Sequence, residues 1–182
     1  MRYPKELVLK NCTEVVIRPL TEQDEQALRD FYSQVSEEDR WFMRFNVMDP
    51  AVIRGWVQGK DEVFSIVAEC GGQIAAHARL HTHAYGCYHH QGRLRIIVLP
   101  EFRQKRLGSW MLLDLIHLSM EKGLRELRAD FVIGIEDAAI EAAYKLDFFK
   151  KAVLEDFIID PQGQLHDLLI MTKRLHKDWG DF

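Results

Sequence analysis

The sequence predicts a mixed α/β fold, with a central sheet of about seven strands and helices on both faces. Three observations lead to this prediction. Apolar runs of strand length alternate along the chain with longer segments of helical periodicity. A glycine pair, Gly71-Gly72, joins two strand-like runs as a hairpin. The 182 residues contain no repeat and no linker-like stretch, so we expect residues 1–182 to form a single domain that buries a core.

The first half of the chain is predicted to run from a strand through three helices to the hairpin. Pro19 ends the first strand, and Thr21 with Asp24 three residues later marks the start of a helix. Pro50 suits the first turn of the third helix. The predicted elements are a strand at 15–18, helices beginning near Thr21, at 37–45 and at 49–60, and a hairpin at 63–82.

The second half alternates strands and helices. Pro100 cannot donate to a sheet ladder and ends a strand, and Gly123 closes the long helix that follows. The turn at 161–164 separates the last two strands. The predicted elements are a strand at 93–100, a helix at 107–122, a strand at 124–134, a helix at 136–148, and strands at 150–160 and 165–175.

Composition excludes several classes of function. The 24 basic and 28 acidic residues give a formal charge of −4, which argues against nucleic-acid binding through bulk charge. No window approaches the ~18 continuous apolar residues of a membrane-spanning helix, and the N-terminal residues lack a signal-peptide core. Cys12, Cys70 and Cys87 are widely spaced and form no CxxC pair. We therefore expect a reduced, cytoplasmic protein with no membrane partner.

The stretch "VLPEFRQKRLGSW" at 98–110 passes from an apolar strand into a helix. The start of a helix carries unpaired N–H groups and about half a positive charge, so Gln104–Ser109 could hold an anion such as a diphosphate. Gly108 would let the anion approach the backbone closely. The basic side chains of this turn are Arg103, Lys105 and Arg106. A solvated basic turn whose arginines pair with nearby carboxylates is the alternative reading.

The longer segment "VLPEFRQKRLGSWMLLDLI" resembles the signature of the GNAT superfamily of acyl-CoA-dependent N-acetyltransferases. That signature runs from V-x-P through Arg/Gln-x-x-Gly-x-Gly/Ala into a long helix. Arg103 matches its first position and Gly108 its last, while Arg106 stands at the middle glycine. The similarity covers nearly the whole chain and implies the GNAT acyl-CoA transferase fold. Within the family, "SEEDRWFMRF" is weakly similar to bacterial protein-lysine acetyltransferases.

The resemblance implies acetyl-CoA as co-substrate. The main chain at 97–99 would bind the pantetheine arm and polarise the thioester carbonyl, and the basic turn would hold the phosphates. Asp137 stands at the start of "EDAAIEAAYKLDF", which is similar to the family segment that packs along the pantetheine. The predicted cofactor-binding residues are Ile97, Val98, Leu99, Arg103, Gln104, Lys105, Arg106, Leu107, Gly108, Ser109 and Asp137.

The implied reaction is direct attack of an amine on the thioester, with no metal. Tyr144 is the predicted general acid for the departing thiolate, although counting back from Phe148 puts Ala143 in the family's tyrosine position. Arg93 stands where many members carry a glutamate base. The base is therefore predicted to be Glu69 or His81, with His77 and a water chain as further options. The two histidines alternate with Arg79 on one strand, and covering a sheet face is their structural alternative.

Two further features leave alternatives open. The loop "HTHAYGCYHH" at 81–90 holds ligand types that zinc or nickel accepts, but it also fits a polar loop or a substrate contact. Four aromatic residues could line an acceptor pocket or simply fill the core. They are Trp41, Phe42, Phe45 and Trp56.

The sequence thus predicts an enzyme that moves an acetyl group from acetyl-CoA to a primary amine, on a small molecule or a protein lysine. A homodimer is compatible with this prediction. The alternative is a degenerate GNAT-fold domain that binds CoA or a partner protein without turnover. The departures from the signature at Arg93, Arg106, Ala143 and Asp147 motivate that alternative.

Overall fold

The computed structural model describes residues 3–10 and 13–175, so Cys12 lies outside the described residues. One eight-stranded sheet runs through the molecule in the order β1-β2-β3-β4-β5-β6-β8-β7. Its neighbouring strands are antiparallel except for β5 and β6, which are parallel. The strands are β1 (Lys5–Val8), β2 (Glu14–Pro19), β3 (Val63–Cys70), β4 (Gln73–His81), β5 (Gln91–Val98), β6 (Glu126–Val132), β7 (Phe149–Ile159) and β8 (Leu165–Arg174).

Helices cover both faces of the sheet, as predicted. The helices are α1 (Glu25–Gln34), α2 (Glu37–Trp41), α3 (Pro50–Val57), α4 (Leu107–Glu121) and α5 (Asp137–Tyr144). One buried cluster joins α1 and α3 to the sheet through residues such as Phe31, Ile53 and Ile97. A second cluster joins α4 to the opposite face through residues such as Met111 and Leu80. None of the helices in the described part of the chain is both long and apolar enough to cross a membrane.

The predicted strand count of about seven is approximately right, and the additional strand is β1. It has only four residues, in an alternation of half-buried and exposed side chains, too short to stand out as an apolar run. Tertiary pairing forms it, because Lys5–Val8 lies antiparallel to β2. Its first residue is also fixed to the far helix, since Lys5 Nζ donates to the buried Asp114 carboxylate of α4 at 2.7 Å.

The local signals at the element ends are confirmed. The Asp24 carboxylate accepts from the Thr21 N–H at 2.8 Å, and two guanidinium nitrogens of Arg18 donate to it at 2.8 Å each. These bonds, led by the one from Arg18, lower the pKa of Asp24 to about 2. Asp49 caps α3 by accepting from the Ala51 N–H at 2.9 Å, with Pro50 in the first turn.

The feature that positions the site is a gap between β5 and β6. The two strands pair only where Gln91–Arg93 meets Glu126–Arg128, and beyond these three residue pairs they separate. Gly92 permits the close approach at the junction, because a Cβ there would lie 2.7 Å from Leu80 Cδ1 and 2.8 Å from Leu124 Cδ1. In α/β sheets a ligand binds beyond the carboxyl ends of parallel strands, and α4 is the crossover that leaves this edge.

Candidate active site

A cavity of about 440 Å³ occupies the gap between β5 and β6. On β5, Leu94, Ile96 and Val98 line it from the α4 face of the sheet. Arg95 and Ile97 line it from the α1–α3 face, since alternate residues of a strand point to opposite faces. The cavity therefore passes through the sheet, from the N-terminus of α4 to α2. Its volume falls within the ~300–1,000 Å³ range of small-molecule sites.

At one end of the cavity lies the turn between Pro100 and α4. A short 3-10 helix at Pro100–Phe102 leads into Gln104 and Arg106, whose φ angles of 58° and 68° are left-handed. The main-chain N–H groups of Gln104–Ser109 donate to no other main-chain oxygen among the described residues. Free N–H groups in a left-handed turn ahead of a helix form a concave site for an anion. This turn is the one that the sequence predicts to hold a diphosphate.

Eight of the eleven predicted cofactor-binding residues line the cavity. They are Ile97, Val98, Arg103, Gln104, Arg106, Leu107, Gly108 and Ser109. The other three lie outside it. The Leu99 N–H donates to the Ala75 carbonyl at 3.0 Å, and the Lys105 ammonium lies 5.7 Å from the Phe102 ring centroid. The Asp137 carboxylate accepts from the Gly134 N–H at 2.9 Å.

The basic side chains of the turn differ in their surroundings. Arg103 Nε donates to the Val98 carbonyl at 2.9 Å, and Nη2 donates to the Asp39 carboxylate of α2 at 2.6 Å. Arg103 thereby links α2 to the end of β5, and the Asp39 carboxylate balances part of its charge. Arg106 is exposed and holds the last position before α4. Gly108 faces β5, where an added Cβ would lie 3.6 Å from Val98 Cγ2, an ordinary contact.

The predicted general acid, Tyr144, points away from the cavity. Helix α5 contributes Ala138, Ala139 and Ala142 to the lining, which share one helical face. A residue two positions beyond Ala142 is rotated by ~200° around the helix. Tyr144 is accordingly 48% exposed, and Ala143, in the position that the family motif gives to tyrosine, is buried. This geometry disfavours the prediction for Tyr144.

The predicted bases also lie outside the cavity lining. Glu69 is on β3, two strands from β5, and its carboxylate accepts from Arg18 Nε at 3.0 Å. This position disfavours Glu69 as the base. His81 stacks on Phe45, with 5.7 Å between ring centroids, and lies opposite Arg93 in the sheet. Burial, and then the charges of Arg79 and Arg44, lower the pKa of His81 to about 4, so His81 is neutral at pH 7.

The four aromatic residues and the histidine-rich loop of the sequence prediction differ in where the structure places them. Phe42 lines the cavity, whereas Trp56 is buried in the core of the α1–α3 face. The Trp41 indole N–H donates to the Ile159 carbonyl at 2.8 Å, and Phe45 lies edge-on to Trp56 at 5.9 Å. Within the described residues no three His, Cys, Asp or Glu side chains are placed to hold a metal ion, and this includes the loop at 81–90.

The sequence reasoning missed a set of charged residues around the gap. Arg95 Nη1 of β5 lies 2.8 Å from the Glu136 carboxylate, whose second oxygen accepts from the Val132 N–H at 2.9 Å. This ion pair bridges β5 and the segment after β6. Asp130, also on the cavity wall, pairs with the three arginines Arg44, Arg93 and Arg128 at 2.7, 3.3 and 2.7 Å. The sequence did contain a signal for these charges, because Arg93 and Arg95 interrupt the apolar run "RLRIIV" and lie on the same face of a strand.

The model of the acetyltransferase (GNAT) family matches residues 21–148 of this chain. The chain belongs to the GNAT acetyltransferase family. As a member, it is an N-acetyltransferase, and acetyl-CoA is its co-substrate. The chain is also similar to many solved structures, whereas no curated protein matches it.

Three of these solved structures illustrate the similarity of this GNAT chain. Ribosomal-protein-alanine N-acetyltransferase from Brucella melitensis is 25% identical with a TM-score of 0.77, over 87% of this chain and 99% of that one. The putative acetyltransferase yncA from Salmonella typhimurium, solved with its cofactor acetyl-CoA, is 18% identical with a TM-score of 0.79, over 91% and 96%. The GNAT domain of S. lividans PAT is 19% identical with a TM-score of 0.75, over 96% and 100%.

Proposed function

We propose that this GNAT enzyme transfers the acetyl group of acetyl-CoA to a primary amine by direct attack, within the cavity between β5 and β6. One observation carries the proposal: the gap between the two parallel strands ends at the N–H groups of Gln104–Ser109, which have no main-chain acceptor in the described part of the chain. A pantetheine arm fits a narrow gap through a sheet, and a diphosphate fits the start of a helix. Both features belong to one continuous cavity.

The residues of the cavity suit acetyl-CoA in charge and in hydrogen bonding. Beyond Arg93 and Arg128, no strand of residues 3–10 or 13–175 pairs with β5 on its β6 side. The peptide groups that point into the gap can therefore bond to the amides of a pantetheine arm as they would to a strand. Gly108 leaves room beside Val98 at the mouth of the cavity. The guanidinium of Arg106 is exposed next to the free N–H groups, where it can add charge for the phosphates.

Acetyl-CoA supplies a thioester whose carbonyl carbon accepts the amine nitrogen, so that a C–N bond forms and the C–S bond breaks. The chain's contribution is alignment and donation of N–H groups from the free edge of β5 to the carbonyl oxygen. The apolar wall that Leu94, Ile96 and Leu112 provide excludes water from that edge.

No carboxylate on the cavity wall is unpaired among the described residues. Asp39, Asp130 and Glu136 are each held by at least one arginine, and a paired carboxylate is a weak proton acceptor. We infer that water takes the proton from the attacking amine. The rate should then rise with pH until the amine itself is deprotonated, with no separate plateau from a residue of the chain.

The proposed function extends to the acceptor amine, the cellular location and the oligomeric state. A solved relative at 25% identity is a ribosomal-protein-alanine N-acetyltransferase, which supports nitrogen of an amine as the acceptor atom. Cys70 and Cys87 are free thiols, in keeping with a reducing, cytoplasmic location. A protein-lysine acceptor and a homodimer remain compatible with the fold.

The proposal is tested by binding and then by turnover. Acetyl-CoA at about 100 times its Kd should stabilise the protein by ~2.7 kcal/mol, a Tm increase of roughly 5–10 °C for a chain of this size. S-Acetylpantetheine, which has the same thioester but no diphosphate, should give a much smaller increase at equal concentration. Release of free thiol in the presence of a panel of primary amines then measures transfer.

Two outcomes would contradict the proposal. Equal Tm increases from the two thioesters would show that the diphosphate does not bind at the turn before α4. Binding of acetyl-CoA with no thiol release across a broad amine panel would favour the alternative of a domain that binds CoA without turnover.

A further inference from the structure

Arg79 on β4 is a buried guanidinium that has no hydrogen-bond acceptor among the described residues. Arg79 is only 3% exposed, and its guanidinium carbon lies 3.7 Å from the centroid of the Trp56 ring. Arg79 makes no hydrogen bond and no ion pair with the residues that the structure describes. Its Nη1 atom is completely buried and unpaired.

Stacking on Trp56 does not satisfy this guanidinium. A cation over an aromatic face uses the flat side of the group, whereas the five N–H donors lie in its plane and need acceptors at the edge. A buried cation with unused donors is costly. Burial accordingly lowers the pKa of Arg79 below its usual value. A bound anion would supply the missing acceptors.

The neighbours of Arg79 add positive charge to the same face of the sheet. Arg95 lies directly opposite Arg79 in the β4–β5 register, and Arg93 lies opposite both His81 and Arg128. Like charges directly opposite each other destabilise a sheet unless something between them balances the charge. We define the arginine cluster as Arg44, Arg79, Arg93, Arg95 and Arg128.

The protein itself balances the arginine cluster only in part. Asp130 is shared by three of its members, and Glu136 pairs with Arg95. Five arginines against these two carboxylates leave an excess of three positive charges, in a chain whose formal charge is −4. The cluster is therefore a local cationic site. It adjoins the proposed active site, because Arg95 and Asp130 line the cavity.

We propose that the arginine cluster binds an anionic group of the acetyl acceptor, so that the acceptor is a small primary amine that also carries a carboxylate or phosphate. This inference rests on the proposed function. Arginine pairs geometrically with both oxyanions through paired N–H donors. The acceptor is small, because a folded protein surface does not reach a guanidinium that is 3% exposed beneath the α1–α3 layer. The cluster thereby selects the acceptor and turns its amine toward the thioester.

Matched pairs of amines test the inference. β-Alanine is compared with β-alanine amide, phosphoethanolamine with ethanolamine, and Nα-acetyl-lysine with Nα-acetyl-lysine amide, by thiol release from acetyl-CoA. We expect the anionic member of at least one pair to have a kcat/KM at least tenfold higher, and the pairs separate a carboxylate from a phosphate. Equal rates within all three pairs, or faster transfer to lysine in neutral peptides, would overturn the inference while leaving the proposed function intact.

Variants locate the effect in the arginine cluster. Arg79→Met removes the buried cation, and thermal unfolding shows whether it folds. Arg93→Gln and Arg44→Gln are more exposed changes that keep the test available if Arg79→Met does not fold. Each should reduce the preference for the anionic amine at least fivefold. Arg125→Gln, an exposed change of equal charge outside the cluster, is the control and should retain the preference.

A binding measurement keeps this inference separate from the proposed function. Calorimetric titration with succinate, which has no amine, should show binding that Arg93→Gln and Arg44→Gln weaken and Arg125→Gln does not. That result would support the cluster as an anion site even if acetyl-CoA failed to bind. Succinate binding that is absent, or unchanged in both cluster variants, would overturn the inference.

Discussion

The two ends of the proposed site, the turn before α4 and the arginine cluster beside the cavity, are built in different ways. At the turn before α4 the proposed binding groups are main-chain N–H donors, while the Arg103 side chain bonds to the protein. At the arginine cluster the proposed binding groups are side chains from three strands and a loop. A main-chain site depends on local backbone shape, whereas a side-chain site depends on the register between strands. The two ends should therefore respond differently to mutation.

Gly108→Val should have the largest effect and act on the main-chain end alone. A Cβ fits beside Val98, but the added methyl groups would enter the mouth of the cavity. Acetyl-CoA affinity should fall roughly 10- to 100-fold, which corresponds to the ~1–3 kcal/mol cost of an overpacked contact. Calorimetric titration with acetyl-CoA measures the loss, and thermal unfolding without ligand should change little.

Gly108→Ala is the matched control, because its single methyl makes only an ordinary contact with Val98. It should retain most of the affinity. Full affinity in Gly108→Val would show that the phosphates do not lie against this turn, and the comparison between the two ends would fail.

Tyr32→Phe should act in the buried core of the α1–α3 face, behind the arginine cluster. The Tyr32 hydroxyl lies 2.8 Å from His77 Nδ1, both groups are buried, and His77 Nε2 already has no partner among the described residues. Loss of the hydroxyl would leave both ring nitrogens unpaired. The free energy of unfolding should fall by about 1–3 kcal/mol, measured by urea denaturation. Acetyl-CoA affinity should be unchanged, and a fall in it would show that the two ends are coupled.

Arg106→Gly should have the smallest effect, and it tests the left-handed backbone of the turn before α4. Arg106 has a φ of 68°, a left-handed conformation that costs a residue with a Cβ about 1 kcal/mol. Glycine should raise the free energy of unfolding by up to that amount. Arg106→Ala keeps the Cβ and removes only the charge, so it should not stabilise. If the guanidinium contacts the phosphates, both variants should weaken acetyl-CoA binding equally.

Local sequence signals predicted most of the fold. Thr21 with Asp24, Asp49 with Pro50, and Gly123 each act within one turn of their own element, and each element end was confirmed. The strand β1 was missed because its four residues form no apolar run, and it is held by pairing with the neighbouring β2 and by the distant Asp114 of α4. A short strand that is held by its pairing partner, and not by a buried apolar face of its own, leaves no strong local pattern.

The same contrast explains the site. Gln104–Ser109 could be predicted because a helix start presents free N–H groups whatever its side chains are. Glu69, Leu99 and Tyr144 were assigned from their position along the chain. Their surroundings depend on strand order and helix rotation, which place Glu69 against Arg18 and leave Tyr144 half exposed. The three arginines that pair with Asp130 come from three separate segments, and their convergence needs the sheet register.

The narrow junction at Gly92 has a consequence for how the molecule comes apart. The sheet is continuous there through only three residue pairs, so it is divided into a five-stranded part and a three-stranded part. We expect mechanical or thermal opening to begin at this seam. Acetyl-CoA that spans the seam would then slow the opening itself, and the occupied protein would resist proteolysis for longer at equal temperature.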